Sequence, residues 1–193
     1  DLIGGISVAN IGHRHPKVIA AIKKQLDDYL HIMVYGEFIE SPQVQYAKLL
    51  TDHLPTSLNS VYFTNSGAEA VEGAMKLAKR YTNRTGIIAF NNSYHGSTQG
   101  ALSIFGSEEW RNAFRPLLPG ILHFDYGSEE AIEAIDETIA CVIVEPVQAE
   151  AGVIAADKSW LKALREKCSQ KNTLLVFDEI QTGFGRTGKL WGF

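Results

Sequence analysis

The sequence predicts an α/β fold in which a mostly parallel sheet carries helices on both faces. From residue 61 onward, short apolar runs rich in β-branched residues alternate with amphipathic runs of helical period. Parallel strands need such crossover segments, because the chain must return to the same end of the sheet each time. The predicted strands are residues 61–64, 86–90, 121–124, 141–144 and 174–177, and the predicted helices are 66–80, 128–138 and one capped by Asp157.

The 193 residues are predicted to form an N-terminal segment, residues 1–55, and a large domain, residues 56–193. Apolar and polar residues alternate after Gly4, which predicts a short strand, and the glycine that follows predicts that this strand ends in a loop. Helices are predicted to begin at Pro16 and Ser41, each with one apolar face turned inward. The inward residues are Val18, Ile19, Ile22, Leu26 and Tyr29 in the first helix and Val44, Ala47, Leu49 and Leu50 in the second.

The composition indicates an ordinary globular protein, with no nucleic acid and no membrane as partner. There are 18 basic and 22 acidic residues, which give a net charge of −4, and there is no basic run. No apolar stretch approaches the roughly 18 residues of a membrane span. Because no leader is evident and Cys141 and Cys168 form no CxxC pair, we expect a cytoplasmic protein with both cysteines buried.

The turn between predicted strand 61–64 and the helix after it has the features of a phosphate site. Ser66 and Glu69 have the spacing of a capping box, and Gly67 leaves room for a ligand beside the first helical amides. Many helices that bind nothing have such a cap. Its position at the carboxyl end of a strand nevertheless favours an anion site.

Other motif-based interpretations are poorly supported. Residues 183–188 match the dinucleotide pattern GxGxxG but do not leave a strand directly, and no helix pattern follows them. Residues 183–189 match GxxxxGK, yet Leu190 stands where a phosphate loop needs Ser or Thr. There is no GxSxG elbow. His13 and His15 have no third ligand nearby in the sequence, so no metal site is expected.

Polar and aromatic residues follow three of the predicted strands. These residues are Tyr94 and His95 after strand 86–90, Glu145 and Glu150 after strand 141–144, and Asp178 after strand 174–177. Asp178 alone could hold a metal, a protonated ring nitrogen or a ribose hydroxyl. We expect the turn at Ser66, the aromatic ring of Tyr94 and the strand-end carboxylates to lie at one edge of the sheet. Such a set suits a flat, phosphorylated ring that contains nitrogen.

Four ordered motifs in this sequence resemble those of class III aminotransferases. The motifs are Asn65-Ser66-Gly67-Ala68-Glu69-Ala70, Tyr94-His95-Gly96, Glu145-Pro146-Val147-Gln148-Ala149-Glu150-Ala151-Gly152, and the run from Asp178 to Gly188. The resemblance covers essentially the whole chain. It implies a partial large domain of fold type I, pyridoxal 5'-phosphate as cofactor, and a homodimer or tetramer whose sites lie at the subunit interface.

The resemblance also implies roles for individual residues. Backbone amides around Ser66, Gly67 and Ala68 would hold the phosphate. Tyr94 and Ile180 would lie on opposite faces of the ring, and Gln181 would lie near its phenolic oxygen. Asp178, the implied catalytic residue, would bind the ring nitrogen and keep it protonated. His95 and Glu145 complete the cofactor-binding set, and Glu150 and Ser97 are the implied substrate-binding residues.

Two features depart from the family pattern. The lysine that binds the cofactor covalently lies further along the chain in this family than Phe193, so we expect the sequence to be truncated before it; Lys189 is too early. The second is Ser97, where many members that act on 4-aminobutyrate, ornithine or acetylornithine carry an arginine for a distal carboxylate. Its absence favours pyruvate or a less acidic amine over glutamate and 2-oxoglutarate as substrates.

The function implied is transfer of an amino group from an amine or ω-amino acid to a 2-oxo acid by a ping-pong mechanism. Two alternatives stay open from the sequence. They are an aminomutase or decarboxylating transaminase of the same fold, and an inactive truncated module that binds the cofactor. A nucleotide-binding P-loop protein would require ATP to bind through residues 183–189, and no such binding is expected.

Overall fold

The computed structural model describes residues 3–33 and 37–193. These residues form two compact units, one of residues 11–63 and a larger one in which the described residues before Ile11 join 64–193. The helices are α1 (Gly4–Ser7), α2 (Pro16–Asp28), α3 (Ser41–Asp52), α4 (Gly67–Thr82), α5 (Gln99–Ser103), α6 (Glu108–Arg111), α7 (Glu129–Glu133) and α8 (Lys158–Lys171). The strands are β1 (Gly86–Phe90), β2 (Ile121–Phe124), β3 (Ile139–Val144), β4 (Val147–Gln148), β5 (Ile154–Ala155) and β6 (Leu174–Phe177). The domain boundary after residue 55 stays a prediction.

The smaller unit contains α2 and α3. Both predicted helices are present, and each has a proline in its first turn, where a missing N–H costs nothing. The prediction of inward apolar faces is wrong, because neither helix buries a residue and Ile22 and Leu26 are each more than half exposed. Helical periodicity specifies that a helix has an apolar face but does not supply the surface that covers it.

The predicted strand after Gly4 is also wrong. Residues 4–7 form the short helical turn α1, in which Gly4, Gly5, Ile6 and Ser7 all have positive φ. Glycine reaches this left-handed region without strain, so the glycine pair favours a turn over a strand. The segment is anchored to the glycine-rich end of the chain, because Arg186 Nε donates to Ser7 O at 2.9 Å and Asn10 Nδ2 donates to Phe184 O at 2.7 Å.

The large unit is built on a four-stranded sheet in the order β2-β1-β3-β6, and every pair in it is parallel. In β1, Ile87 pairs with Ile121 on one side and Cys141 on the other; in β3, Val142 pairs with Leu175. The chain leaves β1 toward β2 but leaves β3 toward β6. The order therefore reverses between β1 and β3, which creates a crevice beyond their carboxyl ends.

Helices cover both faces of this sheet, as predicted. One face packs Ile87 and Ala89 against α4 and α5, and the other packs Ile88 and Phe90 against α7 and α8. Successive residues of β1 thus enter different cores, which is why the strand reads as a continuous apolar run. The two free cysteines are buried, and burial raises the pKa of the Cys141 thiol to about 12 and that of Cys168 to about 11.

Several element boundaries differ from the predicted ones. Residues 61–64 form no strand, because β propensity alone does not supply a partner to pair with. The helix predicted over 128–138 ends at Glu133; Asp136 Oδ1 accepts the Thr138 amide at 2.8 Å, a local bond that favours a turn. The sequence reasoning missed α5, α6, the 3₁₀ turn Asn112–Phe114 and the antiparallel pair β4 and β5. Among the described residues, no helix is both long and apolar enough to cross a membrane.

The packing of α8 yields a stability prediction. Leu164 is fully buried against the sheet, whereas Leu77 on α4 is 66% exposed. We expect Leu164→Ala to lower the free energy of unfolding by about 3 kcal/mol, since it removes buried methyl groups and leaves a cavity. Leu77→Ala should change it by less than about 0.5 kcal/mol. Urea unfolding followed by circular dichroism measures both, and equal effects would contradict this account of the core.

Candidate active site

A cavity of about 280 Å³ lies at the switch in strand order, beyond the carboxyl ends of β1, β3 and β6. It is lined by Ser66, Gly67, Ala68, Tyr94, His95, Gly96, Ser97, Glu145, Val147, Asp178, Ile180, Gln181 and Thr182. Every residue predicted to bind the cofactor is in this set, and so is Ser97. Glu150 lies instead at an adjoining cavity of about 600 Å³, which shares Tyr94 with the first.

The N-terminus of α4 forms one wall of the cavity. Ser66 caps this helix, because its Oγ accepts the Glu69 amide at 3.2 Å. Glu69 reaches back, but its carboxylate accepts the amide of Asn65 at 2.7 Å, one residue before the position expected in a capping box. The first amides of a helix have no intrahelical acceptor, so those of Gly67 and Ala68 at the cavity wall provide a site for an anion.

Gly67 allows close packing between the first turn of α4 and the side chain of Ile180. A Cβ at this position would lie 2.5 Å from Ile180 Cδ1, which approaches α4 from the segment after β6. Only glycine lets the helix N-terminus and Ile180 come this close. The sequence predicted room for a ligand at Gly67, and in the structure the Ile180 side chain takes part of that room.

Asp178 extends the sheet before its side chain enters the cavity. Its amide donates to Val144 O at 2.9 Å, which continues the pairing of β3 with β6. Its Oδ1 accepts the Ile180 amide at 3.1 Å, and its Oδ2 lies 2.7 Å from Nδ1 of His95. Both side chains are almost completely buried. With Nδ1 donating to the carboxylate, two hydrogen bonds fix the orientation of Asp178.

Glu145 is a second buried acid in the same cavity. Its Oε1 accepts the amide of Tyr94 at 3.2 Å, and its Oε2 has no partner among the described residues. Burial raises the pKa of Glu145 to about 7, against the opposing effects of His95 and the Tyr94 amide. Tyr126 fixes the backbone here, because its hydroxyl donates to Glu145 O at 2.8 Å. Glu145 can therefore exchange a proton near neutral pH.

The loop after β1, residues 91–98 and called the site loop below, carries the aromatic residue of the cavity. Tyr94 is partly exposed and packs edge to face on Phe105, with ring centroids 5.4 Å apart. Gly96 has a φ of +114°, and a Cβ there would lie 2.7 Å from the Cβ of Ala68. The site loop therefore rests directly on the first turn of α4. Gly96 lay inside a recognised motif, but the sequence reasoning gave it no role.

Gln181 and Glu150 contact each other at the rim. Gln181 Nε2 donates to Glu150 Oε1 at 3.0 Å. Two further cavity residues, Val147 and Thr182, were missed by the sequence reasoning; Thr182 Oγ1 donates to Glu179 Oε2 at 3.0 Å, a contact with no signal in the sequence. In the described ranges, no group of three or more His, Cys, Asp or Glu side chains could hold a metal ion.

These contacts fit a flat, phosphorylated ring that contains nitrogen. The α4 amides can donate hydrogen bonds to a phosphate, and the carboxylate of Asp178 can face a protonated ring nitrogen. Two buried polar atoms at the cavity residues, His95 Nε2 and Glu145 Oε2, have no partner among the described residues. Unpaired buried polar atoms cost free energy, and a polar ligand or water in the cavity would relieve that cost.

Comparison with known proteins identifies the class to which this fold and site belong. The family model for class-III aminotransferases matches residues 1–193. The acetylornithine aminotransferase of Methanopyrus kandleri is 46% identical over 196 residues, which cover all of this chain and 49% of that protein. The chain therefore belongs to the class-III aminotransferase family, whose cofactor is pyridoxal 5'-phosphate. It spans about half the length of the curated relatives it matches.

Solved structures share the fold over nearly the whole chain. A transaminase from the marine bacterium Virgibacillus has a TM-score of 0.92 at 31% identity, over 98% of this chain and 47% of that one. The ornithine aminotransferase of Toxoplasma gondii, which has partial occupancy of pyridoxal phosphate at its active site, has a TM-score of 0.85 at 32% identity, over 98% and 46%. These similarities confirm the predicted fold type I architecture.

The buried acid at Glu145 yields a prediction about pH. The ordinary pKa of a glutamate, 4.5, applies in the unfolded chain, and the folded value is about 7. Below pH 4.5 both states carry a neutral carboxyl group. As pH rises from 4.5 through 7, the unfolded chain releases a proton that the folded chain retains, so folding stability falls.

We therefore expect the free energy of unfolding of Glu145→Gln, measured without cofactor, to rise by about 2.5 kcal/mol relative to that of the wild type between pH 5 and pH 8. Urea unfolding at several pH values checks this difference. Glu133→Gln, at an exposed position on α7, is the matched control and should show no comparable trend. A Glu145→Gln difference that stays constant with pH would show that Glu145 is not protonated in the folded protein.

Proposed function

We propose that the protein binds pyridoxal 5'-phosphate in the 280 Å³ cavity and transfers an amino group from an amine or ω-amino acid to a 2-oxo acid. The observation that carries this proposal is the buried pair of Asp178 and His95 in one cavity with the N-terminus of α4. Membership of the class-III aminotransferase family supports the reaction type.

In this proposal Ser66, Gly67 and Ala68 hold the phosphate, Asp178 binds the ring nitrogen, and Tyr94 and Ile180 lie on the two ring faces. The bound cofactor supplies an electron-withdrawing ring that stabilises negative charge at the substrate carbon. The carboxylate of Asp178 favours the protonated ring nitrogen on which this property depends. His95 holds that carboxylate in one orientation through Nδ1.

Gln181 would contact the ring's phenolic oxygen, and Glu145 would lie beside the ring, where its exchangeable proton and free Oε2 can bind a polar group. Glu150 and Ser97 would contact substrate, since both lie at the edges of cavities that meet at Tyr94. The hydrogen bond from Gln181 links the two regions, because Glu150 lines the second cavity.

Two pairs of substrates are candidates for this site. Relatives include acetylornithine aminotransferases, which makes acetylornithine with 2-oxoglutarate one candidate pair. Ser97 favours a second pair, a less acidic amine with pyruvate, because a hydroxyl cannot neutralise a distal carboxylate as a guanidinium would. Product analysis with both pairs distinguishes them, and it also detects an aminomutase or a decarboxylating transaminase.

We also propose that the protein is a homodimer or tetramer and acts in the cytoplasm. The exposed apolar residues of α2 and α3, which include Ile22 and Leu49, are typical of surfaces that are covered in an assembly. The two buried free cysteines are consistent with a reducing compartment. Light scattering of the purified protein tests the oligomeric state, and cell fractionation tests the cytoplasmic location.

The role of Asp178 is tested by Asp178→Asn. In a longer chain that includes the lysine that binds the cofactor covalently, we expect transaminase activity to fall by about 100-fold or more, because a neutral amide no longer favours a protonated ring nitrogen. Asp27→Asn, an exposed position on α2, is the control. The measurements are conversion of a 2-oxo acid to an amino acid and the absorption spectrum of the bound cofactor.

If the wild type binds no pyridoxal phosphate, the proposal fails. If residues 1–193 bind it without turnover while the activity of a longer chain depends on Asp178, the isolated segment is a binding module. Unchanged activity in Asp178→Asn would contradict the assigned role of that residue.

Ser97→Arg tests the choice of acceptor. A guanidinium at this position can pair with a distal carboxylate, so kcat/KM for 2-oxoglutarate should rise about tenfold relative to pyruvate. Ser97→Lys adds the same charge without the planar fork and should give a smaller change. If the wild type already prefers 2-oxoglutarate, or the ratio is unchanged in Ser97→Arg, position 97 does not select the acceptor.

A further inference from the structure

Glu72, in the second turn of α4, contacts a different helix. Its Oε1 accepts hydrogen bonds from Thr98 Oγ1 at 2.7 Å, from the Gly100 amide at 2.8 Å and from the Ala101 amide at 3.2 Å. All of these donors belong to the start of α5. All three hydrogen bonds that Glu72 makes to the start of α5 therefore end on one oxygen atom, Oε1.

These bonds replace a cap that α5 lacks. Thr98 occupies the N-cap position of α5, but its side chain caps no amide of that helix. The amides of Gly100 and Ala101 would otherwise lack acceptors, since the first amides of a helix have no intrahelical partner. A Cβ at Gly100 would overlap the Glu72 carboxylate, so only glycine admits this contact.

The position of Glu72 matters because α5 begins where the site loop ends. The site loop contacts α4 at two points: Gly96 packs on Ala68, and Thr98 is bound by Glu72. Tyr94 and His95 lie just before these two points. Their distance from the phosphate-binding end of α4 is therefore set partly by the hydrogen bonds of Glu72.

We propose that Glu72 is a positioning residue for the cofactor. It fixes the site loop to α4, so that the aromatic face of Tyr94 and the His95–Asp178 pair are held at the correct distance from the amides of Gly67 and Ala68. This inference rests on the proposed function, because it concerns the same cavity. It adds a residue that lies outside the cavity and touches no ligand there.

The test compares pyridoxal phosphate with inorganic phosphate as probes of the same protein. Pyridoxal phosphate needs both α4 and the site loop, whereas inorganic phosphate needs only α4. We expect Glu72→Ala to weaken binding of pyridoxal phosphate about tenfold and binding of inorganic phosphate less than about twofold. Absorbance titration measures the first affinity, and competition by phosphate measures the second.

Glu72→Gln is the conservative variant. Since all the bonds converge on Oε1, the one carbonyl oxygen of glutamine can accept them, and affinity for pyridoxal phosphate should stay within about twofold of the wild type. Thr98→Val removes one donor and should give an intermediate loss. It also keeps the test decisive if Glu72→Ala folds poorly. Glu166→Ala on α8, an exposed glutamate, is the matched control.

The outcomes are distinct. A selective loss for pyridoxal phosphate that Gln rescues supports the positioning role. Parallel losses for both probes, or no loss for either, overturn it. Absence of pyridoxal phosphate binding in the wild type overturns the proposed function and this inference together, whereas wild-type binding with an unaffected Glu72→Ala overturns only the inference.

Discussion

The hydrogen bond between His95 and Asp178 is the interaction on which the rest of the site depends. It joins the segment after β1 to the segment after β6, which flank β3 in the sheet. A carboxylate buried without donors would be costly, so Asp178 can remain in the cavity only because His95 and the Ile180 amide bond to it. The loops on either side of the strand reversal are thus held together by one charged group.

The other side of the cavity is fixed by close approach of backbone rather than by charge. Gly67 admits Ile180 beside the first turn of α4, and Gly96 admits the site loop onto Ala68. A methyl group at Gly96 would meet Cα and Cβ of Ala68, which cannot move aside, whereas one at Gly67 would displace the end of the Ile180 side chain. Glu72 reinforces the second contact with hydrogen bonds from one turn further along the same helix.

Glu145 introduces a cost into this arrangement. It is buried beside another acid, with one oxygen unpaired among the described residues, and its raised pKa shows that the folded chain disfavours its charge. Residues in the hydrophobic cores of the sheet contribute stability, whereas Glu145 reduces it increasingly as pH rises from 4.5 through 7. Such destabilising groups are common in binding sites, because polar groups that bind a ligand lack hydrogen-bond partners when the ligand is absent.

Apolar periodicity and strand-end polar residues are local signals, and they predict the α/β class, most strands of the sheet and the capped start of α4. The sequence also predicts most of the cavity residues through its resemblance to class III aminotransferases, but it gave no signal for Val147 and Thr182. It failed at residues 4–7 and 61–64, where strand formation depends on a partner elsewhere in the chain. Tertiary structure alone decided that His95 bonds Asp178, that Gln181 bonds Glu150 and that Glu72 caps α5. These contacts join residues far apart in the sequence, and their geometry follows from the strand order and from side-chain packing, neither of which a linear pattern contains.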